Sequence, residues 1–594
     1  MIQYQVSSSN PATHYFEVKI TIHSPDPAGQ CLRMPNWIPG SYMIRDFARN
    51  LLALKVSCGD ESIEIEQLDK SNWRLAPCRG PVVINYLVYA WDLSVRGAHL
   101  DQTHGYYNGT SLFMEVIGQS QEPCEVVFEK PTAGYCKHWK LATTLQRLDA
   151  GPFEFGLYQA SDYDDLIDHP VEMSDFTLIH FEACGIPHDI ILSGRFRCDE
   201  ERLRADLSRI CEHHIRFFGE PAPMDYYQFL VMVVGQGYGG LEHRSSTSLL
   251  CERDSLPQPG QTEVSEKYRD FLGLCSHEYF HTWNVKRIKP AVYLPYDLQQ
   301  EVYTDLLWAF EGITSYYDDL ALVRCGLIDE SAYLELLAQT MTRVQRGKGS
   351  SRQSAAESSF NAWTKFYKAD ENAQNAIVSY YAKGCLIALC IDLKMRELSQ
   401  SRVSLDDVMR QLWLRQLTSG AGVEAQTIQD LIVSIVGVDI HDFLHQLIYT
   451  SNEMPLDELL VTVGIERRLR QSASQKDRGG KPAEGAIPKV DLGAFIEEKE
   501  GGLQIVRVTE DGSAQRAGLS ANDVIVAVNG LKLTLASLEQ RLLLASVDEL
   551  WKIHAFRRDE LMEFELGLLA AAKTTVVLQT GEPEQSRKDW LGDD

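Results

Sequence analysis

Two histidines four residues apart, with a glutamate directly after the first, constrain this chain more than any other feature: His277-Glu278-Tyr279-Phe280-His281. On a helix, such histidines lie one turn apart on the same face. Their imidazoles can grip one divalent cation from one side, and zinc suits this spacing. Glu278 can lean over the metal's open position and take a proton from bound water. The segment 265–283 has helical spacing, and Phe271, Leu272, Leu274, Tyr279 and Phe280 mark it as largely buried. An unliganded pair of imidazoles would be costly there. The plain alternative is a helix that carries two surface histidines.

A catalytic zinc takes a third protein ligand and keeps a fourth position open. Downstream, Trp308-Ala309-Phe310-Glu311-Gly312 sets a carboxylate in an apolar run. An unpaired charge is expensive in such a run, and coordination would relieve the cost. Otherwise Glu311 simply starts the polar face of an amphipathic helix. Asp318 or Asp319, two turns along, is a candidate for holding a ligand histidine in orientation.

Bulk properties narrow the class. The formal net charge of -26 repels phosphate backbones, so nucleic acid is excluded as a partner class. It suits cations, including the free amino end of a peptide, although acidity also serves solubility. Thirteen cysteines run from Cys31 to Cys390 with no CxxC pair, which predicts free thiols rather than a disulfide framework or a cysteine zinc cage. The opening MIQYQVSSSN lacks a signal-peptide pattern, and no run of 18 apolar residues predicts a membrane span. Cytoplasm is the expected location.

Periodicity predicts a multidomain α+β chain. HYFEVKITIHS (14–24) and VVINYLVYAWDL (82–93) alternate as strands, so residues 1–170 read as an N-terminal β-domain. A helix over 201–219 is followed by two strands around a glycine-rich stretch at 226–250, then by helices over 265–283, 304–326 and 379–398. The expected divisions are a zinc-binding domain at 171–390 and a helical domain at 391–470. A polar linker at 471–489 and a small domain of short strands and one helix at 490–580 complete the chain.

HEYFHTWNVKRIKP (277–290), followed by LLWAFEGITSYYDDLALVRCGLI (306–328), resembles the glycyl aminopeptidase family of gluzincin metallopeptidases. WIPGSYMIRDFARN (37–50) and YYNGTSLFM (106–114) resemble that family's N-terminal β-domain. The resemblance implies one zinc ion, aminopeptidase chemistry, a thermolysin-like catalytic domain with a helical C-terminal part, and a C-terminal PDZ domain. Carried over by residue, it makes His277, His281 and Glu311 the ligands and Glu278 the general base. Gly239-Gly240-Leu241-Glu242-His243 is similar to the G-x-M-E-N element of gluzincin aminopeptidases, which implies that Glu242 holds the substrate's amino group. Gly239 and Gly240 would leave a bare strand edge for a peptide to pair with. Tyr381-Ala382-Lys383-Gly384 resembles the Y-x-K-G element, which implies that Tyr381 stabilises the oxyanion, with Tyr380 as the neighbouring alternative. The gap between His281 and Glu311 is longer than in alanyl-type relatives.

Residues 490–580 resemble a PDZ domain, with Leu492-Gly493-Ala494-Phe495 in the place of its carboxylate-binding loop and Gly518, Asp523, Asn529 and Gly530 at the usual turns. The expected partners are peptides with a free N-terminus and, at the PDZ groove, peptide C-termini. The resemblance implies hydrolysis of the first peptide bond, with Gly or Ala favoured at that end. Two rivals stay open: a non-catalytic PDZ adaptor with a structural zinc, and a zinc endopeptidase.

Overall fold

The structure, a computed structural model, describes residues 1–592. The chain divides into two compact units: Met1–Val302 with Leu412–Gly422, and Tyr303–Gln411 with the residues from Val423 on.

The first unit opens on an eight-stranded sheet. Its centre is β1 (Ile2–Ser7), β2 (Tyr15–Ile22) and β3 (Val82–Tyr89), with β4 (Cys124–Phe128) parallel to β1. The alternation seen in sequence puts Phe16, Val18, Ile20 and Ile22 on one face, opposite Val88, Tyr86, Ile84 and Val82 of the neighbouring strand. Two smaller sheets pack into the same core. A strand at Val171–Ser174 pairs with His104–Tyr107 and Lys140–Ala142, so the β-rich region runs past the boundary expected at residue 170.

A second sheet of the same unit carries the site. It is built from β5 (Thr177–Ala183), β6 (Ile186–Gly194), β7 (Tyr227–Val234), β8 (Gly239–Glu242) and β9 (Ser246–Glu252) in the order β5-β6-β7-β9-β8. Strands β6, β7 and β9 are parallel, and β8 returns antiparallel as the edge. Helix α1 (Glu200–Phe218) makes the crossover between β6 and β7. Helix α2 (Glu266–Phe280) follows and packs on β8 and β9. Parallel strands need both faces covered, which is why most of β7, residues 229–234, reads as an apolar run in sequence.

The second unit begins with a π-helical turn at Trp308–Gly312 that runs into α3 (Ile313–Arg324). Helices α4 (Glu330–Arg346) and α5 (Tyr380–Ser399) pack beside it. The division expected at 390/391 falls inside α5, a single buried helix from Ser379 as N-cap to Gln400. The stretch Ala373–Ser399 is apolar and long enough to cross a membrane by composition alone, but 78% of its apolar window is buried inside the protein.

The expected linker at 471–489 is an ordered segment. It leaves β10 (Ile465–Gln471), and Asp477 holds its first turn by pairing with Arg470 (2.5 Å) and accepting the N–H groups of Ala473 and Gly479. Polar composition concealed a turn tied by one carboxylate. The PDZ sheet then has six strands: β11 (Ala494–Lys499), β12 (Gly502–Val508), β13 (Val524–Val528), β14 (Leu550–Arg557) and β15 (Glu560–Gly567) lie side by side in that order, and a short strand at Leu531–Lys532 also pairs with β13. Helix α6 (Leu535–Leu544) lies between β13 and β14 in sequence. Strand β16 (Lys573–Thr580), expected inside that domain, instead pairs with β10 and packs on α4. Helix α7 (Glu584–Leu591) closes the unit, with Trp590 fully buried and donating to the Tyr316 hydroxyl at 2.7 Å.

Candidate metal centre and active site

Helix α2 is capped by Ser265, whose hydroxyl accepts the Tyr268 N–H, and it ends at His281. One turn separates His277 from His281, and their Nε2 atoms converge to 3.1 Å. The other ring nitrogen of His281, Nδ1, lies 2.8 Å from the Asn284 carbonyl. That carbonyl can only accept, so Nδ1 carries the proton and Nε2 presents a lone pair beside His277 Nε2. The orienting partner of His281 is therefore main chain, while Asp318 and Asp319 are the sequence's candidates for orienting a ligand histidine. Those two aspartates sit half-buried on α3 in the second unit.

A strained turn supplies that carbonyl. Val285 is buried at φ 101°, a region β-branched residues avoid at a cost of about 1–3 kcal/mol. Its N–H reaches Ile288 O, and the Lys286 N–H returns to His281 O. The sequence signal was only a short stretch after the second histidine.

Two carboxylates share the neighbourhood. One ligand-type atom from each of Glu242, Glu278 and His281 lies within 4.8 Å of the others, and all three residues are buried. Each carboxylate is matched to a glycine. A Cβ on Gly240 would sit 2.0 Å from Glu278 Oε1, and a Cβ on Gly40 would sit 2.5 Å from Glu242 Oε2. Gly40 also adopts φ +88°, which glycine does without strain. The β-domain segment 37–42 thus reaches the carboxylate of β8. Sequence reasoning gave Gly239 and Gly240 a peptide-pairing role. The geometry gives Gly240 a second one, room for Glu278, while Gly239 has only the side chains of Arg96 and Val95 near a built Cβ.

Asp168, absent from the sequence reading, ties this region together. It accepts from Lys286 Nζ at 2.6 Å and from the Arg244 N–H at 3.1 Å, and its Oδ1 lies 3.2 Å from His243 Nδ1. Burial would raise its pKa, but Lys286 and Arg244 hold it well below the usual carboxylate range. Burial also lowers His243 against the pull of Asp168. The residues on either side of the site, 243–244 after Glu242 and 286 after His281, are thereby fixed to one buried anion.

In the second unit, Glu311 is buried on the π turn, a geometry that recurs at functional sites. That turn touches α5 through two glycines: a Cβ on Gly312 would meet Gly384 Cα at 2.5 Å, and one on Gly384 would meet Trp308 O at 2.6 Å. Tyr380 and Tyr381 stack at the start of α5 with centroids 4.7 Å apart. Tyr380 is fully buried and Tyr381 is half-buried, so of the two it is Tyr381 that reaches solvent. Lys383 points the other way, donating to Ser350 O (3.2 Å) and Gln353 O (3.1 Å), and burial lowers its pKa to about 8.

The loop Leu492-Gly493-Ala494-Phe495 lies before and at the start of edge strand β11. Gly493 is at φ +68°, and its carbonyl accepts the Thr509 N–H at 2.8 Å.

The donors in the first unit fit zinc: two converging imidazole nitrogens, one with its tautomer fixed, and buried carboxylates beside them. Fold and site together define a metallopeptidase of the gluzincin class. Family models match as the peptidase M61 N-terminal domain over residues 3–175, the M61 glycyl aminopeptidase over 270–387 and a PDZ domain over 490–568. The crystal structure of an aminopeptidase N family protein from Idiomarina loihiensis is 44% identical, covers 100% of both chains and superposes with a TM-score of 0.97. An M1 zinc metallopeptidase from Deinococcus radiodurans, solved as a mutant with a Tyr-Ser-Ala substrate, is 13% identical over 76% of this chain and 94% of its own, with a TM-score of 0.47. No curated protein matches the sequence. The chain belongs to the M61 glycyl aminopeptidase family, with a PDZ domain in its C-terminal part.

Proposed function

We propose that this enzyme removes the first residue of peptides, with Gly or Ala favoured there as the family name suggests, and that Glu278 is its general base. The observation that carries the reading is the pair of buried carboxylates, Glu242 and Glu278, beside the converging histidines. A zinc ion held by His277, His281 and Glu311 would polarise the scissile carbonyl and acidify a water. Glu278 accepts that water's proton and returns it to the leaving amine. Glu242 pairs with the substrate ammonium, so that only the first peptide bond comes within reach of Glu278. Tyr381, the half-buried member of its stacked pair, donates a hydrogen bond to the developing oxyanion. Gly240 and β8 offer an edge along which an extended substrate can lie.

Two kinds of function, peptidase and adaptor, are told apart by the second carboxylate. A structural zinc needs neither Glu278 nor Glu242 at its side. The test is hydrolysis of short peptides that differ in their first residue, each offered with a free and with an acetylated amino end. The native enzyme should cleave only the free series. Glu242→Ala should lose ~10²-fold or more in kcat/KM, in keeping with a charge-assisted contact, while its zinc content is unchanged. Equal cleavage of acetylated peptides would identify an endopeptidase instead.

A further inference from the structure

A PDZ groove captures a peptide in two places. Loop N–H groups hold the terminal carboxylate, and the outward N–H groups of the edge strand pair with the peptide backbone. In this chain a donor in each place is already taken by the chain itself. In the loop, the Gly493 N–H donates to the Asp491 carboxylate at 3.0 Å. On edge strand β11, the Ile496 N–H donates to the side-chain carbonyl of Gln475 at 2.6 Å. Strand β11 pairs with β12 on one side only, and Gln475 stands on the other, where a peptide carbonyl would stand.

Neither occupant is a loose side chain. Gln475 belongs to the turn organised by Asp477, whose carboxylate is bound by Arg470 and whose carbonyl accepts from Arg346 of α4 at 2.5 Å. Further along, the Gly480 N–H donates to Val576 O of β16 at 2.9 Å. Built Cβ atoms on Gly479 and Gly480 would strike Thr342 (2.3 Å) and Glu335 (2.6 Å) of α4, so this segment lies close on the helix. Asp491 is fixed from the other side, its carbonyl accepting the Ser513 hydroxyl at 2.7 Å. Its negative charge also repels an incoming carboxylate.

The domain itself is pinned to the helical part of the same unit. Arg352 pairs with Glu510, Lys348 pairs with Asp511 at 2.7 Å, and Asn375 both donates to Val508 O (2.9 Å) and accepts the Glu510 N–H (3.0 Å). The contacts come from the β12 end and the turn after it.

We propose that this PDZ domain is closed to peptide C-termini by its own chain, with Gln475 seated on the edge strand and Asp491 seated on the carboxylate loop. The domain then acts as a docked part of the body rather than as a peptide receptor. This inference stands apart from the peptidase reading, and none of its measurements records turnover.

The probe is a library of octapeptides randomised at the last four positions. Each is labelled with fluorescein at the amino end, so that no free N-terminus is present, and is made both as free acid and as amide. Polarisation is measured against the full-length protein and against the Gln475→Ala/Asp491→Ala variant, with thermal melting to establish that both are folded. The native protein should bind acids no better than amides, and the variant should prefer acids by about tenfold or more. Acid-selective binding by the native protein overturns the proposal. So does an absence of acid selectivity in both, since the two side chains would then not be what closes the loop. Amide exchange gives a second readout that needs no ligand. Gln475→Ala should speed exchange at Ile496 by about tenfold, and an unchanged rate there overturns the assignment of Gln475.

Discussion

Gly240 and Glu278 are built as a pair: a Cβ at position 240 would lie 2.0 Å from Oε1 of the glutamate. Something must move if that Cβ is added, and the nearest movable group is the proposed base itself. Gly240→Ala should therefore leave the strand and the metal in place while displacing the carboxylate. A displacement of about 1 Å in such a group costs ~10²-fold in rate. The expected result is a fall of that order in kcat with zinc content unchanged. Glu278→Gln provides the reference, with activity lost altogether. A Gly240→Ala enzyme of native kcat would show that Glu278 tolerates displacement and is not the base.

The metal-binding helix, the alternating strands of the β-domain and the PDZ domain were legible in sequence because each rests on local spacing. Phe16, Val18, Ile20 and Ile22 announce a strand by period alone, and His277 and His281 announce their shared face by a gap of four. What was not legible depends on contacts distant in sequence or on carbonyls. Asp168 is one acidic residue among many until Lys286 and Arg244 fold onto it. The Asn284 carbonyl that orients His281 belongs to the main chain, which every residue has. The segment 471–489 looked like a tether because its composition is polar, and a charged turn has the same composition. Strand β16 looked like part of the PDZ domain because it follows directly in sequence, whereas its partner β10 lies more than a hundred residues earlier.

Gly384 tests the support of Glu311. Its Cα hydrogens face the π turn, and a Cβ there would lie 2.6 Å from Trp308 O and 2.8 Å from Gly312 Cα. Backbone cannot swing aside as a side-chain end can. Gly384→Ala should push the π turn off α5 and destabilise the protein by about 1–3 kcal/mol through overpacking. Because Glu311 rides on that turn, zinc affinity measured by competition with a chelator should also weaken, even at temperatures where the variant is fully folded. A variant with lowered melting temperature but native zinc affinity would detach Glu311 from the metal site.

Asp168 predicts a different kind of loss. Asp168→Asn keeps the shape but removes the charge that Lys286 and Arg244 face in a buried setting. Breaking a buried pair by removing one partner costs about 3–5 kcal/mol, since the other charge is left uncompensated. The thermal midpoint should drop accordingly. Lys286→Met in the same chain should recover part of the loss, because the stranded ammonium is then gone. If the double variant is no more stable than Asp168→Asn alone, the cost lies elsewhere than in Lys286.

Lys289 sets a pH dependence whose sign can be worked out. Its ammonium lies over the Tyr296 ring at 4.5 Å, and the residue is only 6% exposed. Burial lowers its pKa to about 7, with Lys286 and Arg244 pushing the same way and Asp164 and Asp168 only partly opposing. In the unfolded chain a lysine keeps its proton to about 10.4. Below pH 7 both states are charged, and the folded state carries the full cost of the buried cation. Between pH 7 and pH 10.4 the unfolded chain holds the extra proton, so this group's contribution to stability rises with pH across that window. Lys289→Met removes the titration. The melting temperature of the variant minus that of the native protein should be greatest near pH 6.5 and shrink steadily as the pH is raised towards 10. A difference that stays constant over this range would mean that Lys289 keeps its proton in the fold, and that Asp164 and Asp168 outweigh burial after all.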